Sequence, residues 1–133
     1  MGLIAIVGPI ASGKSTLARE IAAHGFEHLS IDSVRDAGGD WPEFIARVTL
    51  ASKPTVTESV ALPKGYLRVL DLKAAVLVCV TCPEHVRRSR LMERGQAAKP
   101  VLWDDSELAD FVVDGSKPIA SEMVAQILTA ARA

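Results

Sequence analysis

The sequence predicts an α/β fold, a parallel sheet with helices packed on both faces. Three observations carry that expectation. Apolar strand-like runs and helical periodicities alternate along the chain, as parallel strands joined by helical crossovers require. A glycine-bounded loop, Gly8 to Ser15, stands between the first apolar run and the first helical repeat. No internal repeat, low-complexity tract or linker-like change of composition interrupts the 133 residues, so one domain over 1–133 is expected.

The elements follow in order. Leu3-Ile4-Ala5-Ile6-Val7 is an uninterrupted apolar run and reads as the first strand. Leu17, Ala18, Ile21 and Ala22 recur at helical spacing, giving a helix over about 14–24 that Gly25 stops. Phe26 to Ile31 reads as a second, short strand ending in Asp32. Asp40-Trp41-Pro42-Glu43 is a helix start, with Asp40 as N-cap, Glu43 closing a capping box and proline in the first turn. Phe44, Ile45, Val48 and Ala51 form its apolar face. Thr55 to Leu62 is β-prone, about 65–71 is a helical or irregular connection, and Ala74 to Val80 is a strongly apolar strand. Pro83 to Arg94 reads as a helix ended by Gly95, and Phe111-Val112-Val113 as a fifth strand. A last helix over about 117–131 carries Ile119, Met123, Ile127 and Ala130 on one stripe.

Gly8-Pro9-Ile10-Ala11-Ser12-Gly13-Lys14-Ser15, followed by Thr16, fits the pattern of a glycine, four free positions, then Gly-Lys-Ser. Strand, loop and helix stand in the order that phosphate binding needs. Gly8 and Gly13 let the backbone wrap closely, and the first helical N–H groups then face an anion that the helix dipole favours. Lys14 would reach the β/γ-phosphates and the Ser15 hydroxyl would ligate Mg²⁺. Gly8, Ala11, Ser12, Gly13, Lys14, Ser15 and Thr16 are thus the expected nucleotide-binding residues of a P-loop.

Composition narrows the partners. A formal charge of −1 provides no general basic field for tracking long nucleic acid, and suits a small anionic substrate held by local arginines. No apolar run approaches the ~20 residues that span a bilayer. The apolar start lacks a basic n-region and leads straight into the loop, so it reads as strand and not as signal peptide. Two cysteines without an export signal point to a reducing cytoplasm.

Asp32 and Arg35 are the first candidates for the acceptor side. In such sheets ligands sit beyond the carboxyl ends of the strands. A carboxylate there can orient or deprotonate an attacking hydroxyl, and an arginine offers a planar fork to a phosphate. The alternative is Asp32 as a helix N-cap with Arg35 solvated. Glu58 lies inside Thr55-Val56-Thr57-Glu58-Ser59-Val60, where an unpaired carboxylate would be costly. A place by the Mg²⁺ shell or the acceptor explains it. No apolar run ends in the aspartate of a usual Walker B segment, so Glu58 is its candidate substitute. A solvent-facing strand end is the other reading.

The P-loop together with His28-Leu29-Ser30-Ile31-Asp32-Ser33-Val34-Arg35-Asp36-Ala37 resembles the P-loop kinases, and within them the nucleoside and nucleotide kinase group. Adenylate kinases carry a similar Ser-Thr-Gly-Asp-x-x-Arg segment at that distance from the loop, and polynucleotide and several small-metabolite kinases also place Asp-x-x-Arg there. The resemblance implies the three-layer P-loop NTPase fold, a five-stranded parallel sheet of order 2-3-1-4-5. It implies an ATP- and Mg²⁺-dependent transfer of the γ-phosphate to a small acceptor, foremost a (deoxy)nucleoside monophosphate. A polynucleotide 5′-end or small-metabolite kinase, with Asp32 as base for a free hydroxyl, is the alternative. An acceptor-binding segment over 33–52 and a lid over 95–107 are implied as well. Arg90 and Arg94 match the family's Arg-x-x-x-Arg pair, one stacking on the donor base and one reaching the phosphates. Lys14, Asp32 and Arg94 would then be catalytic. Arg68 falls where adenylate kinases use an arginine, without their Phe-Pro-Arg motif, and Lys99 is a further basic candidate.

Arg87, Arg90 and Arg94 fall within about one-sixth of a turn of one another on an ideal helix, a stripe that Arg88 leaves. Cys79-Val80-Thr81-Cys82, near His85, invites a redox or zinc reading. Residues three apart on a strand are ~10 Å apart and face opposite ways, beyond disulfide reach, and no second Cys/His pair completes a zinc site. Inert cysteines are the expectation. His24 and His28 receive no role. A nucleotide-binding regulatory protein that retains the loop is the reading of another class. No Asn-Lys-x-Asp segment supports a GTPase.

Overall fold

Three layers build the molecule, and a computed structural model describes residues 2–96 and 106–132 of it. In chain order the elements are β1 (Leu3–Val7), α1 (Lys14–Ala22), β2 (Glu27–Ser30), α2 (Ile31–Asp36), α3 (Trp41–Leu50), β3 (Thr55–Ser59), α4 (Lys64–Leu72), β4 (Val76–Thr81), α5 (Glu84–Glu93), β5 (Phe111–Asp114) and α6 (Ser121–Arg132). The strands form one parallel sheet of order β2-β3-β1-β4-β5, the order that the resemblance implies. β1 lies at its centre, paired with β3 on one side and β4 on the other.

The alternation of side chains divides the core in two. Ile4, Ile6, Val56, Val78 and Val80 face one way, onto Leu17, Ala18 and Ile21 of α1 and Val124, Ile127 and Leu128 of α6. Leu3, Ala5, Val7, Leu77 and Cys79 face the other way, onto Ile31 and Val34 of α2, Phe44 and Val48 of α3, and Tyr66 and Leu70 of α4. All five residues of β1 are buried because both its faces are covered, which is why it reads as an unbroken apolar run. Tyr66 is fully buried, and its hydroxyl pairs with Thr57 of β3 at 2.6 Å. The ring also lies within 6 Å of Trp41 and Phe44.

Several boundaries depart from the sequence-based expectations. The second strand stops at Ser30, not Ile31, and a helix begins at once. Ser30 is the N-cap, its Oγ accepting the Ser33 N–H at 3.0 Å, so Asp32 is neither a strand end nor a cap but sits in the first turn of α2. β3 ends at Ser59 instead of Leu62: the Ser59 carbonyl turns to the Gly8 N–H and its hydroxyl to the Ala61 carbonyl, while Pro63 heads the next helix. The following connection is a full helix, α4, closed by Ala74 in left-handed backbone at φ 51°. β4 therefore starts at Val76, two residues later than expected. The last helix starts at Ser121, four residues late, because 115–120 is loop. The capping box is present: the Glu43 carboxylate accepts the Asp40 N–H at 2.9 Å.

Candidate functional site

The turn from β1 into α1 places the loop at the carboxyl end of the sheet. A side-chain carbon on Gly8 would lie 2.6 Å from the Val80 carbonyl oxygen, and Gly13 has φ 99°, so both positions require glycine. Ala11 is also left-handed, at φ 62°. Its conformation is held from outside: Arg87 Nε donates to the Ile10 carbonyl at 3.0 Å and Arg90 Nη1 to the Ala11 carbonyl at 3.0 Å. Two arginines of α5 thus take the Ile10 and Ala11 carbonyls, while the Gly8 N–H donates to Ser59 and the Ser12 N–H turns back to the Pro9 carbonyl.

Lys14 is buried inside this wrap, its ammonium 3.4 Å from the Pro9 carbonyl. Burial pushes its pKa down. Glu58 and then Asp32 oppose that shift, while Arg94 and Arg87 add to it. Glu58, Asp32, Arg94 and Arg87 thus all lie near enough to act on the Lys14 charge. Asp32 comes from α2, Glu58 from β3, and Arg94 from the end of α5.

Glu58 is the most constrained of them. It is buried at the last but one position of β3, on the face toward α1. Its Oε1 accepts the Ser15 hydroxyl at 2.6 Å and its Oε2 meets His28 Nε2 at 2.5 Å. The strand end is not solvent-facing. The pairing with Ser15 puts a carboxylate and a hydroxyl side by side at the start of α1, the hard oxygen donors that Mg²⁺ prefers. His28 received no role from sequence. Strand alternation carries the signal: in the β2–β3 register Ser30 is opposite Glu58, and His28, two residues earlier, shares that face.

A cleft of about 370 Å³ opens beside the loop, lined by Gly13, Thr16, Arg90, Arg94 and the 115–119 turn. That turn is seated on the P-loop itself. Gly115 donates to the Thr81 carbonyl at 2.7 Å, and a side-chain carbon there would fall 1.6 Å from the Ser12 carbonyl oxygen. Arg90 closes the same junction, since its Nη2 donates to the Gly115 carbonyl at 2.8 Å. The Ser116 hydroxyl, and then its N–H, hold Asp114 below the usual carboxylate range. Sequence analysis missed this turn; Asp114-Gly115-Ser116 directly after a strand is the turn signal that marks it.

The arginines separate by role. Arg87, one of the stripe, is buried against the loop, and Arg90 spends its guanidinium on backbone carbonyls. Arg94 is exposed on the cleft. Arg35 is exposed, its Nε donating to Asp40 at 3.1 Å, and Arg68 is exposed on α4. Cys79 packs in the core below α2–α4, while Cys82 is half-buried beside Arg90, with burial raising its thiol pKa. Of the lid expected over 95–107, only 95–96 and 106–107 are described; Lys99 lies outside the described residues.

The residues present fit a nucleotide and its metal. Side-chain carbons on Gly8 and Gly13 would strike the Val80 carbonyl and the Gly115 backbone, so glycine at both positions is what lets the loop wrap this tightly. Ser12 Oγ is fully buried, with no hydrogen-bond partner among the described residues. Loop and strand order together give the chain the fold of the P-loop kinases. No protein-family model matches it. A cytidylate kinase of Methylocella silvestris is 35% identical over 108 residues, 74% of this chain and 48% of that protein. The chain thus spans about half the length of the curated relative it matches. A gluconokinase from Sinorhizobium meliloti superposes with a TM-score of 0.65 at 23% identity, over 98% of this chain and 89% of that one. A shikimate kinase from Acinetobacter baumannii, solved with shikimate, gives a TM-score of 0.64 at 19% identity, over 97% and 92%. Among the described residues no helix is long and apolar enough to cross a membrane.

Proposed function

We propose that this chain is an ATP- and Mg²⁺-dependent phosphotransferase acting on a small acceptor, foremost a nucleoside monophosphate. The convergence of Lys14, Ser15 and Glu58 at one loop, with Asp32 and Arg94 close enough to act on Lys14, carries the reading. Lys14 and the loop amides hold the donor phosphates, with Gly8, Ala11, Ser12, Gly13 and Thr16 shaping the cradle. Ser15 and Glu58 would hold Mg²⁺, which when bound offsets charge on the phosphates. Arg94 faces the donor cleft and stabilises negative charge as it shifts during transfer. Arg90 holds the P-loop to the 115–119 turn through N–H bonds in the guanidinium plane, and the face of that plane lines the cleft, where a donor base would stack. Asp32, in the first turn of α2, orients the acceptor, and Arg35 is the arginine nearest to it in sequence. Asp40 engages only Nε of Arg35 among the described residues, so its terminal nitrogens are available to an acceptor phosphate. Positioning and charge supply most of such catalysis.

A free-hydroxyl metabolite is the second reading. Arg35 is exposed and already paired with a carboxylate, so it is a weaker phosphate clamp than a desolvated fork. The likeness to a gluconokinase and a shikimate kinase supports the same reading. The deciding test is ATP turnover against CMP, dCMP, AMP, gluconate and shikimate. Transfer to a monophosphate supports the first reading, and transfer to gluconate or shikimate the second. Hydrolysis that ignores every acceptor points to an NTPase. Nucleotide binding without turnover points to a regulatory protein and sinks both kinase readings.

A further inference from the structure

We infer that His28 is a positioning residue for the metal, acting through Glu58; this rests on the reading of Ser15 and Glu58 as the Mg²⁺ ligands. The Glu58 side chain is 6% exposed and has two oxygens to satisfy. Each has one partner: Ser15 Oγ on Oε1 at 2.6 Å and His28 Nε2 on Oε2 at 2.5 Å. The carboxylate is therefore divided. One oxygen is turned to the start of α1, where a phosphate-bound cation would lie, and the other is held away from it on the edge strand β2.

Two consequences follow from taking His28 away. A buried carboxylate oxygen would lose its hydrogen bond, which is costly in a site that water reaches poorly. The carboxylate could then rotate toward Lys14, a cation whose charge it already feels and which is itself buried and lacks an ion-pair partner among the described residues. A Glu58–Lys14 pair would draw the lysine off the phosphates and occupy the oxygen meant for the metal. His28 prevents both by fixing which oxygen faces which way. Its side chain is 30% exposed on an edge strand, so replacing it need not disturb the core. Outer partners of this kind typically set metal affinity by about 10–100-fold.

The test compares ADP binding with Mg²⁺ and with EDTA, by calorimetry, in the wild type, His28→Phe and His28→Gln. Phenylalanine keeps the bulk and drops the nitrogen, whereas the glutamine amide can still donate to Glu58. The factor by which Mg²⁺ tightens ADP binding should fall about tenfold in His28→Phe and be largely restored in His28→Gln, with metal-free ADP affinity the same in all three. A packing role would move both affinities together and leave that factor unchanged, which would overturn the inference. Equal loss in both variants would also overturn it, because the hydrogen bond would not be the cause. If His28→Phe fails to fold, His28→Ala serves in its place. Wild type that binds ADP equally with and without Mg²⁺ refutes the inference while the nucleotide site stands. Wild type that binds no ADP refutes the proposed function itself.

Discussion

Lys14 carries its charge where burial opposes one, and that cost should be measurable apart from activity. Its native pKa lies below the ordinary amine value, so the penalty on folding is fully present below the native pKa. It fades as the pH rises toward about 10.4, the value of a free lysine. Lys14→Met should therefore unfold at a temperature no lower than wild type near neutrality, with any gain shrinking toward pH 10, while nucleotide binding is lost. A Met variant that melts well below wild type would show that the ammonium supports the fold. Arg35 and Arg94 should separate in kinetics. Arg35→Lys replaces a planar fork by a point charge and should raise the acceptor KM by roughly tenfold to a hundredfold, from the loss of about 1.5–3 kcal/mol, with ATP binding little changed. Arg94→Lys should instead lower kcat. Varying each substrate in turn reads both, and weaker ATP binding in Arg35→Lys would misplace the acceptor site. The P-loop residues were legible in the sequence because their chemistry is set by covalent neighbours. His28 was not, because its partner is thirty residues away and meets it only through strand register.

At the scale of elements, the close seat of the 115–119 turn on the P-loop makes a firm expectation. Gly115→Ala would press a methyl group onto the Ser12 carbonyl, and only backbone movement relieves that. We expect a loss of at least about 1–3 kcal/mol in stability and weaker ADP binding, seen in urea unfolding and calorimetry. Wild-type behaviour in both would show the junction to be loose. Across the sheet, Tyr66→Phe leaves the buried Thr57 hydroxyl unpaired, and should cost about 1–3 kcal/mol with ADP affinity unchanged. Caps and periodicity made the helices legible, and the Asp40–Glu43 box was visible in four residues. The start of α2 was hidden because Ser30 ends a strand and caps a helix at once. The reach of α4 was hidden because Ala74 closes it in a conformation that alanine seldom adopts.

For the whole molecule, alternation of strands and helices was enough to expect a parallel sheet, but spacing alone could not rank the strands. Their order came from resemblance, and the register shows what it achieves: Glu58 of β3 is level with Ile6 of β1, and its carboxylate meets the Ser15 hydroxyl at the far end of the loop that follows β1. The same order has a consequence for how the chain is made. β1 precedes both of its neighbours, and Ile6 meets Glu58 and then Val78, about fifty and about seventy residues later. At a synthesis rate of roughly 5–20 residues per second, the strand that becomes the centre of the sheet waits about 4–15 s before its second partner exists. Until β3 is made Leu3–Val7 is an unpaired, wholly apolar segment on a growing chain, and until β4 is made one of its edges stays open. The central strand is thus the first to be translated but has both of its neighbours only once β4 is made, and until then its apolar edges are open to wrong partners.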